Sequence, residues 1–477
     1  MSTRQRLLEG SAIQIAARIV TAVVGFSVLA LISRRLPKAD FGVYSFYVTL
    51  FYILSTALDF GVSGIATREI AADPRRASRL LSSAFVFKLI TGVLATGTAI
   101  VIALTLEPPG WRWMIVFAAA YLPTHAFQTA SVMLQVETRF LPNAFAMLLG
   151  TLIFLLWTVL LAVTDHLHPG RLLIAFAVTH VLTHVTTWLI VRRTTPIAPW
   201  LSATWRETRA FLREAAPWGV SSLLTIGYYY ADMFLLRLMR GDVELALYNA
   251  PYRIMNFPLL VPASILLATF PVLSRLHAHE PAAFGSFYRR LFHGLMLLAL
   301  PVAAAAVPLR DELVTLAYSD RFADSASCFG ILIATVPALF AGQLMIHGLI
   351  AIRRQSTALL LTALGLAGNV VMNLVLIPEY GRNGAAIATL ITESAIAIGA
   401  ACLIFRATGE SPLSRRLMWP LMIGALVAGA SWMVRGQPIW IWLPIPILVF
   451  LVSAFRFGDL PPEVLARIPF TRSKRSD

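Results

Sequence analysis

Runs of about 20 apolar residues recur along the whole chain, and each is long enough to cross a hydrocarbon core roughly 30 Å thick. Backbone N–H and C=O groups find no water inside a bilayer, so spanning segments are helices or strands of a closed barrel. The runs here are continuous rather than alternating, which selects helices. Composition agrees with that choice. The chain is 58% hydrophobic and 13% charged, whereas a soluble domain carries about a quarter charged residues. The predicted fold is all-α and polytopic.

The apolar pattern predicts fourteen spans, at 11–33, 41–63, 80–105, 113–136, 141–163, 172–191, 217–239, 245–270, 289–308, 326–350, 356–378, 384–405, 417–434 and 437–455. An even number places both termini on one side. With the N-terminus cytoplasmic, the cytoplasmic segments hold more than twice as many Arg and Lys as the opposite side. That asymmetry orients membrane helices and predicts both ends on the cytoplasmic side. It also accounts for the net charge of +15 without nucleic acid. The first apolar run has no small-residue cleavage site behind it and reads as a retained helix, not a signal peptide.

The longest polar connection is 192–216, where Trp205-Arg-Glu-Thr-Arg-Ala-Phe-Leu-Arg-Glu has the pattern of an amphipathic helix lying on the membrane surface. It divides six spans from the next six. Arg34-Arg-Leu-Pro-Lys-Ala-Asp-Phe-Gly-Val-Tyr44 echoes Leu236-Arg-Leu-Met-Arg-Gly-Asp-Val-Glu-Leu-Ala-Leu-Tyr248, and Gly170-Arg171 echoes Gly381-Arg382. Both echoes keep one orientation, which predicts two parallel six-helix lobes. The expected organisation is an N-terminal lobe at 1–191, a cytoplasmic linker at 192–216 and a C-terminal lobe at 217–405. Two further helices at 406–455 and a cytoplasmic tail at 456–477 complete it.

The connections are too short for a soluble catalytic domain. No Walker A sequence, nucleophile elbow, HExxH or dinucleotide fingerprint occurs, so no catalytic residue and no cofactor is expected. Cys328 and Cys402 both lie in apolar runs and offer neither a disulfide framework nor a zinc spacing. His180 and His184 share a helix face, but two ligands make no metal site; His125 and His347 also fall in spans. No metal is expected.

Charges at membrane depth cost about 2.5–3.5 kcal/mol each on insertion scales and therefore face a partner or a hydrated cavity. Arg18 and Lys88 lie at similar depth in the first and third spans, where two cations can line a pocket for an anionic group such as a phosphate. Arg18 can equally snorkel to the headgroups or pair with Asp59. Arg253 sits in the polar stretch Tyr248-Asn-Ala-Pro-Tyr-Arg-Ile-Met-Asn-Phe-Pro, which Pro251, Pro258 and Pro262 bend. It either binds an anion or pairs with Asp232. Tyr228, Tyr229, Tyr230 and Tyr252 can stack on sugar rings or simply pack. Glu393 reads as a coupling-ion site or a neutral buried acid. Asn369 and Asn373 are expected to bond between helices.

Several motifs together resemble the polysaccharide (O-antigen-type) flippases of the multidrug/oligosaccharidyl-lipid/polysaccharide exporter superfamily. Their carriers are Arg34 to Tyr44, Asp59-Phe-Gly-Val, Ala231-Asp-Met-Phe-Leu-Leu and Tyr248-Asn-Ala-Pro-Tyr-Arg-Ile. Phe270-Pro-Val-Leu-Ser-Arg-Leu and Asn373-Leu-Val-Leu-Ile-Pro-Glu-Tyr-Gly-Arg-Asn-Gly-Ala-Ala-Ile-Ala-Thr complete the set. One departure is Leu247, where the family usually has glycine. The resemblance implies two lobes around a central cavity and a cargo of oligosaccharide on polyprenyl pyrophosphate, flipped for surface polysaccharide, lipopolysaccharide O-antigen or exopolysaccharide synthesis. It implies cationic cavity residues that engage the pyrophosphate, and by position the candidates are Arg18, Lys88 and Arg253; from the residues themselves, Tyr229 and Tyr252 are candidate substrate contacts and Asp59, Asp232 and Glu393 candidates for coupling or structural ion pairs. Implied partners are membrane lipid, a polysaccharide polymerase and a chain-length regulator. A cation-coupled multidrug exporter and a lipid II flippase are the alternatives within the superfamily.

Overall fold

The computed structural model describes residues 3–194, 204–411 and 413–457, and within them all side chains except those of 3–16, 18, 19, 140, 282 and 454–457. Every regular element among the described residues is helical. Nine helices there are long and apolar enough to cross a membrane, and Ile439–Ser453 forms a shorter apolar one. The expected all-α polytopic fold is therefore present. The chain divides into two compact units, Met1–Tyr230 and Ala231–Asp477.

The first unit contains α1 (Thr3–Arg35), α2 (Lys38–Asp59), α3 (Val62–Ala72) and α4 (Ala77–Leu106), then α5 (Pro109–Ala119), α6 (Ser131–Val136), α7 (Phe140–Val163) and α8 (Pro169–Thr194). The long α9 (Trp205–Asn256) begins in this unit. Two expected features change here. The span placed at 41–63 ends earlier, because Phe60 and Gly61 adopt left-handed φ of 42° and 75° and the chain restarts as α3. The span placed at 113–136 is not one α-helix. Its centre, Leu122–Ala130, is wound as a nine-residue 3₁₀ helix. Pro123 removes one backbone donor there, and such stretches are uncommon beyond three or four residues.

The described part of the linker is a capped helix that packs on the first unit. Thr204 and Glu207 form a reciprocal capping box: the Thr204 N–H donates to the Glu207 carboxylate at 2.9 Å and the Glu207 N–H to the Thr204 hydroxyl at 3.4 Å. Those Thr204 bonds hold the Glu207 carboxyl below its ordinary range. The helix that follows buries Phe211 and Ala215 against Val62, Ile65, Leu80, Leu81, Ala84 and Val132. Its apolar stripe thus faces protein rather than lipid, because the ends of α3, α4 and α6 offer a matching surface. The 195–203 part of the predicted linker lies outside the described residues.

The second unit contains the end of α9, then α10 (Leu260–His279), α11 (Pro281–Ala306), α12 (Arg310–Tyr318), α13 (Ala326–Ala334) and α14 (Val336–Ala351). It closes with α15 (Gln355–Thr408), α16 (Met418–Val434), α17 (Ile439–Trp442) and α18 (Pro444–Phe457). The backbone leaves the helix inside α9 at Gly241 and inside α15 at Gly381. These breaks fall in the two segments whose sequences echo 34–44 and 170–171. They are also tied to each other. Arg240 donates from Nε to the Ile377 carbonyl at 3.2 Å and from Nη2 to the Pro378 carbonyl at 2.7 Å. In return, Glu244 accepts the Arg382 backbone N–H at 2.9 Å and pairs with its guanidinium. Side chains of one break so satisfy the carbonyls that the other strands.

Gly61 shows how little freedom the α2–α3 reversal leaves. A Cβ there would stand 2.7 Å from the Trp218 Cβ in a conformation that costs an L-residue about 1–2 kcal/mol before any clash. Gly61→Ala is expected to lower the detergent-solubilised unfolding temperature, followed by fluorescence-detected gel filtration. An unchanged temperature would remove the tight reversal from the account.

Candidate functional site

The Asp59-Phe-Gly-Val motif builds the most enclosed charge in the first unit. Asp59 ends α2, the left-handed pair Phe60–Gly61 turns the chain, and Ser63 opens α3 one turn later. Phe60 fits its ring against Gly219, which has no side chain to obstruct it. The turn aims Asp59 and Ser63 at α4, where Lys88 is 1% exposed. Lys88 Nζ lies 2.7 Å from Asp59 Oδ1 and 2.8 Å from Ser63 Oγ, and the Ser63 hydroxyl donates to the same carboxylate oxygen. A buried ammonium is tolerable only when paired and hydrogen-bonded, and both conditions hold. Ser63 was not anticipated from sequence. Its signal is the four-residue offset from Asp59 across a glycine-bearing turn.

On α4 the next turn brings Gly92, where a Cβ would stand 2.7 Å from the Pro123 Cα. That close approach sets the 3₁₀ segment against the same face of α4 that carries Lys88. His125 of this segment and His184 of α8 both lie within electrostatic range of Lys88. The expected Lys88 reading changes in one respect: its charge is already met by Asp59, so it does not stand free. Arg18 belongs to α1, but its side chain lies outside the described residues.

The second unit holds the other predicted residues. Asp232 is 3% exposed and accepts from the Tyr248 hydroxyl and from the Met233 backbone N–H at 2.8 Å. It does not pair with Arg253. Tyr248, sixteen residues on, takes that role because the Gly241 break folds the two parts of α9 together. Arg253 is half-buried, and its Nε is enclosed with no hydrogen-bond partner among the described residues. Its charge acts on Tyr318, at the end of α12. The predicted bend beside it is a full interruption at 257–259, where Pro258 has no N–H to continue the ladder. Tyr252 is buried with its ring 5.7 Å from Tyr248.

The remaining candidates scatter. Tyr229 is half-buried beside Tyr228, rings 5.5 Å apart, and Tyr230 meets Tyr52 at 5.7 Å. Glu393 is buried on α15, its Oε2 3.8 Å from where a Cβ on Gly342 would lie. Asn373 donates to Asn369 Oδ1 at 2.8 Å, so these two bond within their helix, not between helices. The His347 ring donates to the Gln343 carbonyl at 2.8 Å. Among the described residues no three His, Cys, Asp or Glu side chains are grouped to hold a metal.

Enclosed charges among helices long and apolar enough to cross a membrane describe a multi-pass membrane protein, and comparisons with known proteins say of which family. The family model described as polysaccharide biosynthesis protein matches residues 7–277, over half of the chain, and the chain belongs to that family. The MatE model matches 217–375. The chain is similar to the probable low-salt glycan biosynthesis flippase Agl15 of Haloferax volcanii, 22% identical over 379 residues, 79% of each protein. It also resembles the probable flippase AglR of that organism, 24% identical over 183 residues, 36% of this chain and 37% of the relative. Among solved structures, the lipid II flippase MurJ in an inward closed conformation superposes with a TM-score of 0.77 at 11% identity, covering 95% of this chain and 99% of that one. An inward-facing multidrug MATE transporter superposes at 0.68 and 16% identity, covering 83% and 98%. These structural likenesses establish the fold.

The asymmetry of the Lys88–Asp59 pair makes a direct test. Asp59→Asn leaves a fully enclosed ammonium without its counter-charge, a loss of about 3–5 kcal/mol for a broken buried pair. Lys88→Met leaves only the partly exposed Asp59, and the double variant leaves neither charge. Thermal unfolding of the three should rank D59N least stable, with the double variant recovering most of the loss. Equal, additive losses would show that the two groups do not act as a pair.

Proposed function

We propose that the protein flips oligosaccharide linked to polyprenyl pyrophosphate across a bacterial inner membrane, by alternating access, to supply cell-surface polysaccharide synthesis. Family membership and the glycan-flippase name of its relative Agl15 support this reading. The observation that carries it is Arg253, a guanidinium whose Nε is enclosed and unpartnered in the second unit. A buried donor without an acceptor costs about 1–3 kcal/mol. An anionic oxygen of the cargo would meet that need with a charge-assisted bond.

In this reading both termini are cytoplasmic, 1–191 and 217–405 act as the two lobes, and the prenyl tail stays in lipid. Lys88 engages the diphosphate by exchanging partners, leaving Asp59 as phosphate oxygen arrives, and Arg18 contributes a second cation from α1. Tyr229 and Tyr252 offer aromatic surface to sugar rings. Asp232 and Glu393 hold structural bonds within the second unit. A polymerase and a chain-length regulator would consume the product outside.

Deletion of the gene should accumulate lipid-linked oligosaccharide on the inner leaflet. Complementation with Arg253→Gln should restore the protein to the membrane but lower surface polysaccharide about tenfold or more, the scale of one lost charge-assisted bond. Full export by a correctly folded R253Q protein would remove Arg253 from the substrate site.

A further inference from the structure

Three histidines of the first unit converge around Tyr121. His180 and His184 sit one turn apart on α8 with rings 6.2 Å apart. His125, from the 3₁₀ stretch, meets His184 edge-on at 5.3 Å. Tyr121 lies 5.4 Å from His180 and 6.5 Å from His184, and its hydroxyl is 3.1 Å from the Ser55 hydroxyl. Neither a metal nor a carboxylate explains this cluster among the described residues.

Neighbouring bonds fix two of the tautomers. His180 Nδ1 is 2.8 Å from the Phe176 carbonyl oxygen, which only accepts, so that nitrogen carries the hydrogen. His184 Nδ1 is 3.1 Å from Thr124 Oγ1, and that hydroxyl gives its own hydrogen to the Tyr121 carbonyl at 2.6 Å. The hydroxyl therefore accepts from His184. Both rings present an Nε2 lone pair, and neither Nε2 has a hydrogen-bond partner among the described residues. His125 Nδ1 is enclosed and likewise unpartnered, while Gln128 bonds the same side chain. Three uncommitted ring nitrogens thus gather in one place in the span.

We propose that His125, His180 and His184 form a proton-binding site whose occupancy is linked to translocation. The proposal rests on the transport reading above and adds what drives it. A proton from water forms an N–H bond at an Nε2 lone pair, and the imidazolium returns that proton to water when the site reopens. Charged and polar neighbours face the rings from every packed element. They are Lys88 of α4, with Asp59 of α2 and Ser63 of α3 behind it, Ser55 of α2, and Tyr121, Thr124 and Gln128 around the 3₁₀ segment. Lys88 acts on His125 and His184 directly. A proton on His125 or His184 places a second cation within range of the Lys88 ammonium, so the two charges oppose each other. Whatever neutralises or displaces the Lys88 ammonium favours proton binding, and reciprocity makes the converse hold. The nine-residue 3₁₀ segment that carries His125 is the sort of local distortion that often marks a hinge.

Two measurements on the full-length protein test this separately. NMR of the histidine-labelled chain in nanodiscs should show the three buried rings titrating as an interacting group as the pH falls from about 6.5 to 4, with the profile displaced in K88M. In proteoliposomes carrying polyprenyl-pyrophosphate oligosaccharide, an imposed pH gradient should change the translocation rate about tenfold, within the range for coupled sites. H180Q/H184Q should keep basal translocation and lose the gradient response. If that variant does not fold, H125Q supplies the same comparison. Rings that stay untitrated across that range, or a gradient response intact in the folded variants, overturn the proposal. A wild-type protein that moves no cargo under any gradient overturns the transport reading instead, and the titration still decides the proton site.

Discussion

An ammonium enclosed within a membrane-spanning bundle has to be met by a counter-charge and by hydrogen-bond acceptors, or it is not tolerated. In this chain that requirement is met by Lys88, Asp59 and Ser63, and much of the first unit is arranged to satisfy it. The left-handed Phe60–Gly61 turn exists to bring the end of α2 and the start of α3 to one point on α4. Gly219 leaves room for Phe60, and Trp218 closes over Gly61. One turn along α4, Gly92 admits the 3₁₀ segment, which brings His125 toward the same cation.

The second unit meets the same constraint differently. Its backbone is broken at Gly241, at 257–259 and at Gly381. Arg240 donates to the Ile377 and Pro378 carbonyls beside the Gly381 break, and Glu244 accepts the Arg382 N–H and pairs with its guanidinium. The Gly241 break also returns Tyr248 to Asp232, which frees Arg253 from the acid that sequence offered as its partner. Among the described residues the Arg253 Nε is enclosed without a hydrogen-bond partner.

Helix type was legible because lipid demands long apolar runs. The charged residues were legible as exceptions, since Lys88, Asp59, Asp232 and Arg253 stand out from apolar surroundings. Their partners were not. Pairing depends on turns whose geometry is set elsewhere, as Gly61 is by Trp218, and a chain read linearly offers Asp59 to Arg18 and Asp232 to Arg253 only as alternatives. The 3₁₀ centre at Leu122–Ala130 was hidden for the same reason. Its hydrophobicity suits an α-helix, and only Pro123 hinted otherwise. The packing of Phe211 and Ala215 was not legible, because an amphipathic stripe fits lipid and protein equally well, and it is the α3–α4–α6 surface that buries them.

The central claim is that this fold carries a diphosphate-linked glycan through the bilayer. Purified protein in vesicles containing a fluorescent polyprenyl-pyrophosphate oligosaccharide tests it directly, with an impermeant glycosidase reporting which leaflet holds the sugar. The account predicts that all of the lipid-linked sugar becomes accessible with time in protein-containing vesicles, while protein-free vesicles protect the inner-leaflet half. Identical protection in both would contradict it.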